Sequence, residues 1–230
     1  MTSLVAAAAF FLLIHLGVSG TRLRDAVVGR IGQNAYMGLF SLASVAGLVW
    51  LGFAYAGARG EVWNTAHWGI NAATRHIQLL TQLLAMLLIV PGLATANPTS
   101  VQQEGALDRP DVVQGMLRIT RHPFLWGVAI WALGHLLVNG DRASIVLFGT
   151  LLVLAVTGTS SIDAKRKRAL GESYEAFMAQ TSNVPFAAVL NGRQSLKLAE
   201  IGVWRIALGV AVWAILMLAH PMLFGVAALG

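Results

Sequence analysis

Five of the six histidines, His15, His76, His122, His135 and His220, lie inside or beside long apolar runs. Imidazole is the commonest protein ligand for metals and titrates near neutral pH. An ionisable side chain within a bilayer-spanning segment is costly and usually functional. The densest stretch is 118–141, where Arg118-x-x-Arg121-His122-Pro123 leads into an apolar segment that carries His135. With 1.5 Å of rise per residue, His15 lies about 10 Å from the basic end of its run and His135 about 18 Å from that same side. His76 and His220 fall near the opposite ends of theirs. His122 is expected at the surface, where its neighbour Arg121 meets an anionic headgroup or substrate. His67, between Trp63 and Trp68 in a polar connection, suits an interfacial aromatic belt.

Two mid-membrane histidines on different helices can hold haem b, because His/His ligation needs no cysteine and the chain has none. The same pair could hold zinc or non-haem iron. However, no His-x-x-x-His or Glu-x-x-His spacing occurs on one run, and the span interiors carry no acid to complete a facial triad. Haem suits the pattern best. Each membrane histidine also has a plainer use as hydrogen-bonding glue between helices. Gly17, Gly47, Gly127 and Gly134 leave room either for a macrocycle or for close helix packing.

The elements that must position these groups follow from composition. The 230 residues are 57% hydrophobic and only 11% charged, about half the charged fraction of a soluble domain. Apolar runs long enough to cross a bilayer core of about 30 Å fall at about 2–20, 35–57, 73–95, 123–140, 143–162 and 201–224. A single all-α transmembrane domain over 1–230, a bundle of about six helices, is expected, since backbone groups in lipid must be satisfied within each segment. Residues 96–117 read as a polar connection. The long polar stretch 163–200 opens on Lys165-Arg166-Lys167-Arg168, and its segment around Tyr174 to Phe177 is expected to lie as an amphipathic helix along the headgroups.

The net charge of +6 does not point to nucleic acid, because the basic residues border apolar runs. Twelve of the 16 Lys and Arg residues fall in the connections after runs one, three and five, against Arg59, Arg75 and Arg142 on the other side. The positive-inside rule then puts both termini outside the cytoplasm. Three arginines follow the first run and none precedes it, the reverse of a cleavable signal, so that run is expected to be retained.

Several motifs resemble one family. His15-Leu16-Gly17-Val18-Ser19-Gly20-Thr21-Arg22, Thr120-Arg121-His122-Pro123, His135-Leu136-Leu137-Val138-Asn139-Gly140-Asp141 and Ala219-His220-Pro221 resemble the NnrU family of bacterial membrane proteins and the related 15-cis-zeta-carotene isomerases. The resemblance runs from about residue 10 to 224. It implies an inner-membrane haem b protein with His15 and His135 as axial ligands and His76 as substitute. It also implies redox-dependent cis–trans isomerisation of an apolar polyene such as 15-cis-zeta-carotene. Arg118, Arg121, His122, Trp126 and Trp131 are the expected surroundings of cofactor or substrate, with Trp126, Trp131 and Phe124 along an apolar path. The family's association with nitrite and nitric oxide metabolism implies an alternative, a non-catalytic haem protein served by an electron donor.

Arg121-His122-Pro123-x-x-x-Gly127, followed by Gly171-Glu172-x-Tyr174 and Pro185, is also similar to S-adenosylmethionine-dependent membrane methyltransferases. There the acidic pair of the later motif is reduced to Ile162-Asp163, and His15 and His135 are left without a role.

Overall fold

The computed structural model describes residues 1–228. Helix α1 runs over Thr2–Ser19 and closes in a wider π-helical turn, Leu13–Ser19, that contains His15. It is followed by α2 (Arg22–Ile31), α3 (Gln33–Arg59) and α4 (Ala72–Leu93). The second half contains α5 (Met116–Ile119), α6 (Pro123–Val138), α7 (Arg142–Leu170), α8 (Glu172–Gln180), α9 (Ala187–Leu190) and α10 (Val203–Phe224). Five helices, α1, α3, α4, α7 and α10, are long and apolar enough to cross a membrane, and no strand forms among the described residues. This is a multi-pass α-helical membrane protein.

Local chemistry accounts for the starts. Thr21 Oγ accepts the Leu23 N–H, Asn71 and Thr74 form a reciprocal capping box, and Asp141 accepts the Ser144 N–H. Pro123 stands at the first position of α6, where its missing N–H costs nothing.

The fourth expected run, 123–140, is a shorter helix. Helix α6 stops at Val138 rather than 140, so it spans only about 24 Å. It does not have to reach across alone, because α4 and α7 flank it along its length. Gly140 lies against the Trp68 ring and accepts the His67 N–H, and Trp68 Nε1 donates to the Leu136 carbonyl. His67 and Trp68 thus finish α6 rather than merely facing headgroups. Helix α7 overruns its expected end at 162 and carries Lys165 to Arg168 as two more helical turns. Nothing breaks it before Gly171, at φ +56°, and basic side chains suit a helix C-terminus.

Helix α6 is antiparallel to both neighbours. Gly92 faces Pro123, Gly127 faces Ala85 and Ile89, and Gly134 faces Thr81 and Gln82. A Cβ at Gly127 would fall 2.9 Å from the Ala85 carbonyl oxygen, so Gly127 and Gly134 serve close helix packing and leave no room for a macrocycle at those points.

Helix α8 turns its apolar face into protein rather than toward lipid. Tyr174 and Phe177 are fully buried and pack on Leu117, Leu107, Val112 and Val113. Their spacing of three aims both rings into a protein cap that residues 96–122 and 163–202 build over the basic end of the bundle. The expected polar connection 96–117 is part of that cap, with Asn97 buried.

Candidate functional site

Two polar layers sit in this frame, one in the cap and one among the spans. In the cap, Asp163 on α7 collects donors from three segments. Arg121 donates from Nε to Oδ1 at 2.9 Å and from Nη2 to Oδ2 at 2.6 Å. His122 Nε2 donates to Oδ1 at 2.9 Å, Tyr174 OH to Oδ1 at 2.7 Å, and Asn183 Nδ2 to Oδ2 at 3.2 Å. Asn97 and Thr99 in turn donate to the Arg121 carbonyl, and Trp126 Nε1 to Asn183 Oδ1. Arg121, His122 and Asp163 are all buried.

The expectation that Arg121 and His122 meet headgroups or substrate at the surface is therefore corrected. Both point inward, because a buried carboxylate satisfied by several donors holds them there. Burial pushes His122 below the usual imidazole range, with Asp163 pulling the other way. Tyr174 is pushed above the ordinary phenol range by burial and by its bond to Asp163. The hub fastens the start of α6 to α7 and α8 and so sets the depth at which His135 stands. Asp163 and Tyr174 entered the expected site only through the methyltransferase-like motif, and Asn183 was given no role. A carboxylate closing a long apolar run just before four basic residues was the available signal for Asp163.

Arg118 belongs to a separate pair. It donates to both Glu200 oxygens, at 2.7 and 3.0 Å, and to Gln194. These groups line a polar cleft of about 620 Å³ on the basic face, together with Arg109, Asp111 and Gln180. The two donors from Arg118 pull the Glu200 carboxyl from its ordinary 4.5 down to about 2. A depressed carboxyl stabilises the fold above its ordinary value, and that contribution fades as pH falls toward 2. Glu200→Gln is accordingly expected to flatten the dependence of Tm on pH between about 4.5 and 2, with little change in shape at higher pH. Parallel slopes for the two proteins in that window would contradict this.

The second layer is formed by the membrane histidines. His15 Nδ1 faces the Phe11 carbonyl at 2.8 Å, and its ring packs on Phe11 and Phe40 at 4.4 and 5.2 Å. His135 Nδ1 faces the Trp131 carbonyl at 2.9 Å. Its ring stacks on Phe148 of α7 at 4.6 Å and meets Trp131 at 4.5 Å. His76 is tied to the Ala72 carbonyl in the same way, at 2.6 Å, and His220 to Val226 at 2.7 Å. A carbonyl partner requires the proton on Nδ1, which leaves the Nε2 lone pair as the free ligating atom.

Their levels can be read along α7. Gly20 lies at Ser161 and His135 at Phe148, so the Cα atoms of His15 and His135 differ in level by about 12 Å. Along the bundle axis each ring leans toward the other's level, His15 back to Phe11 and His135 back to Trp131. His15 and His135 thus each keep a free Nε2 in apolar surroundings, a donor chemistry that would fit a haem iron. Among the described residues no three of His, Asp and Glu gather closely enough to hold a bare metal ion. Trp131 belongs to this layer. Trp126 belongs to the hub, and Phe124 stands 42% exposed on the outside of α6.

The sequence profile of the family described as "NnrU protein" matches residues 3–228. The chain belongs to the NnrU family. Among curated proteins, it is similar to the chloroplastic 15-cis-zeta-carotene isomerase of Zea mays, with 28% identity over 196 residues. That alignment covers 81% of this chain and 50% of the relative. The isomerase of the same name from Arabidopsis thaliana is 28% identical over 194 residues, with the same coverage. This NnrU-family chain spans about half the length of the curated relatives it matches. No solved structure matches it.

Proposed function

We propose that this NnrU-family protein is a membrane cis–trans isomerase for an apolar polyene of the zeta-carotene type. It would work with a haem b held by His15 and His135, with His76 as the substitute donor. The observation that carries the reading is the free Nε2 that each of these histidines keeps once its Nδ1 is tied to its own helix. The 81% of this chain aligned with proteins named as zeta-carotene isomerases supports the substrate class.

Bound there, haem supplies an electron-exchanging centre that can lower the order of a conjugated double bond. The chain's own part is to fix the imidazoles and keep the surroundings dry. The bonds to Phe11 and Trp131 set each ring's tautomer. Phe148 and Trp131 around His135, with Phe11 and Phe40 around His15, exclude water and offer flat apolar faces to a polyene. An isomerisation changes no atoms and no net electrons, so no proton relay is required, and the acid hub in the cap takes no part in it. With Arg121, His122 and Tyr174 spent on Asp163, the methyltransferase reading loses the residues that would border a cofactor pocket.

In this reading the protein sits in a bacterial inner membrane, and the excess of basic residues on one face supports a cytoplasmic side for that face and a periplasmic one for both termini. Purified protein is expected to show a Soret band and, when reduced, to deplete the 15-cis isomer of 9,15,9′-tri-cis-zeta-carotene. A colourless preparation that binds S-adenosylmethionine would overturn the reading. Intact haem without turnover would assign the protein to electron transfer or nitric oxide handling instead.

A further inference from the structure

In the half of the bundle away from the cap, two buried polar atoms on α4 have no partner among the described residues, Arg75 Nε and Gln78 Oε1, and a third, Trp213 Nε1 on α10, lies near mid-span. Arg75 also forms no ion pair among the described residues. A buried donor without an acceptor is costly, and several together point to something that belongs between them.

Helix register shows what they surround. Helix α10 is antiparallel to α4, with Gly209 against Met86 and Leu87 and Arg205 Nε donating to the Ala94 carbonyl. Eleven residues on from Gly209, His220 therefore stands level with Arg75 and His76, and Trp213 stands level with Gln82. On α6, Gly134 faces Thr81 and Gln82, which puts His135 about 7 Å deeper than His76. Arg75, Gln78 and Gln82 share the stripe of α4 that faces α6, and Gln82 donates to the Trp131 carbonyl one turn from His135. Arg75 Nε and Gln78 Oε1 thus lie outward of the best-enclosed histidine, on the way to the polar surface, whereas Trp213 Nε1 stands at about its level.

We propose that Arg75 binds the carboxylates of the prosthetic group whose iron His135 would hold, so that the acid arms point toward the face opposite the cap. This rests on the haem reading above. The Gln78 amide, turned over, supplies a further N–H. A carboxylate aimed outward keeps its charge near the interface, and a guanidinium matches it with paired donors. An anionic lipid headgroup would offer Arg75 the same chemistry, and only the ligand's own ionisation separates the two sources.

The test uses the full chain produced in haem-starved cells, purified in detergent and titrated with haemin or with haemin dimethyl ester, read from the Soret band. Wild type is expected to bind the free acid about tenfold or more tightly than the ester, the worth of one charge-assisted hydrogen bond. Arg75→Gln is expected to bind both alike, Arg75→Lys to keep part of the preference, and Arg142→Gln, on the same face, to keep all of it. A preference undiminished in Arg75→Gln overturns the assignment while the haem reading stands, and returns Arg75 to lipid. No Soret band with either compound in wild type overturns both.

Discussion

Asp163→Asn is expected to lower stability by about 3–5 kcal/mol, the usual cost of removing one member of a buried ion pair. The substitution leaves Arg121 buried, with its forked donors facing a neutral amide. Three further groups, His122, Tyr174 and Asn183, lose the charge they were arranged around. The measurement is the Tm of the detergent-solubilised protein. Tyr174→Phe removes one donor and leaves the ion pair, so its loss is expected to be smaller, about 1–2 kcal/mol. The double variant Arg121→Met/Asp163→Leu removes both charges and is expected to recover much of the loss, which identifies the penalty as a stranded charge rather than lost packing. If Asp163→Asn melts within a degree or two of wild type, the hub does not hold the cap together.

The spans were readable because each is a long apolar run bounded by groups with one local use: Thr21, Asn71 and Asp141 as caps, Pro123 as a first residue, Gly171 as a stop. Boundaries shifted where tertiary partners intervened, as at Asn139 and Gly140, where the contacts of His67 and Trp68 end α6 early. The hub was not readable. It joins residues 97, 121, 163, 174 and 183, which share no periodicity and meet only after four segments have folded over the end of the bundle. Arg121-His122-Pro123 was visible as a motif, but its direction was not. An Arg-His pair before a span reads the same whether it faces lipid or a carboxylate forty residues on. Arg75 was hidden for the opposite reason. As one of three cations on the sparse side it counted only toward orientation, and the feature that singles it out is an unmet donor that composition cannot show.

Removing His135 is expected to have the largest effect on cofactor content. It sits between Trp131 and Phe148 on a helix clasped by α4 and α7, with Nδ1 already committed, so its Nε2 cannot be replaced by a small shift of a neighbour. Loss of a group that only orients a metal ligand lowers affinity about 10–100-fold, and loss of the ligand itself is expected to lower it at least as far. His135→Gly should therefore purify with little haem, and imidazole in the buffer should restore the Soret band by filling the vacated ring position. His15→Gly is expected to keep more of its haem, because His15 is less enclosed, lies in a π-helical turn that can readjust, and has His76 as a substitute donor. The two variants also separate ligation from folding. A His135→Gly protein that melts like wild type in the haem-free state yet takes up haem only with imidazole has lost a ligand. One that melts far lower and ignores imidazole has lost the α6–α7 packing, and a His135→Gly protein with full haem content would remove His135 from the site altogether.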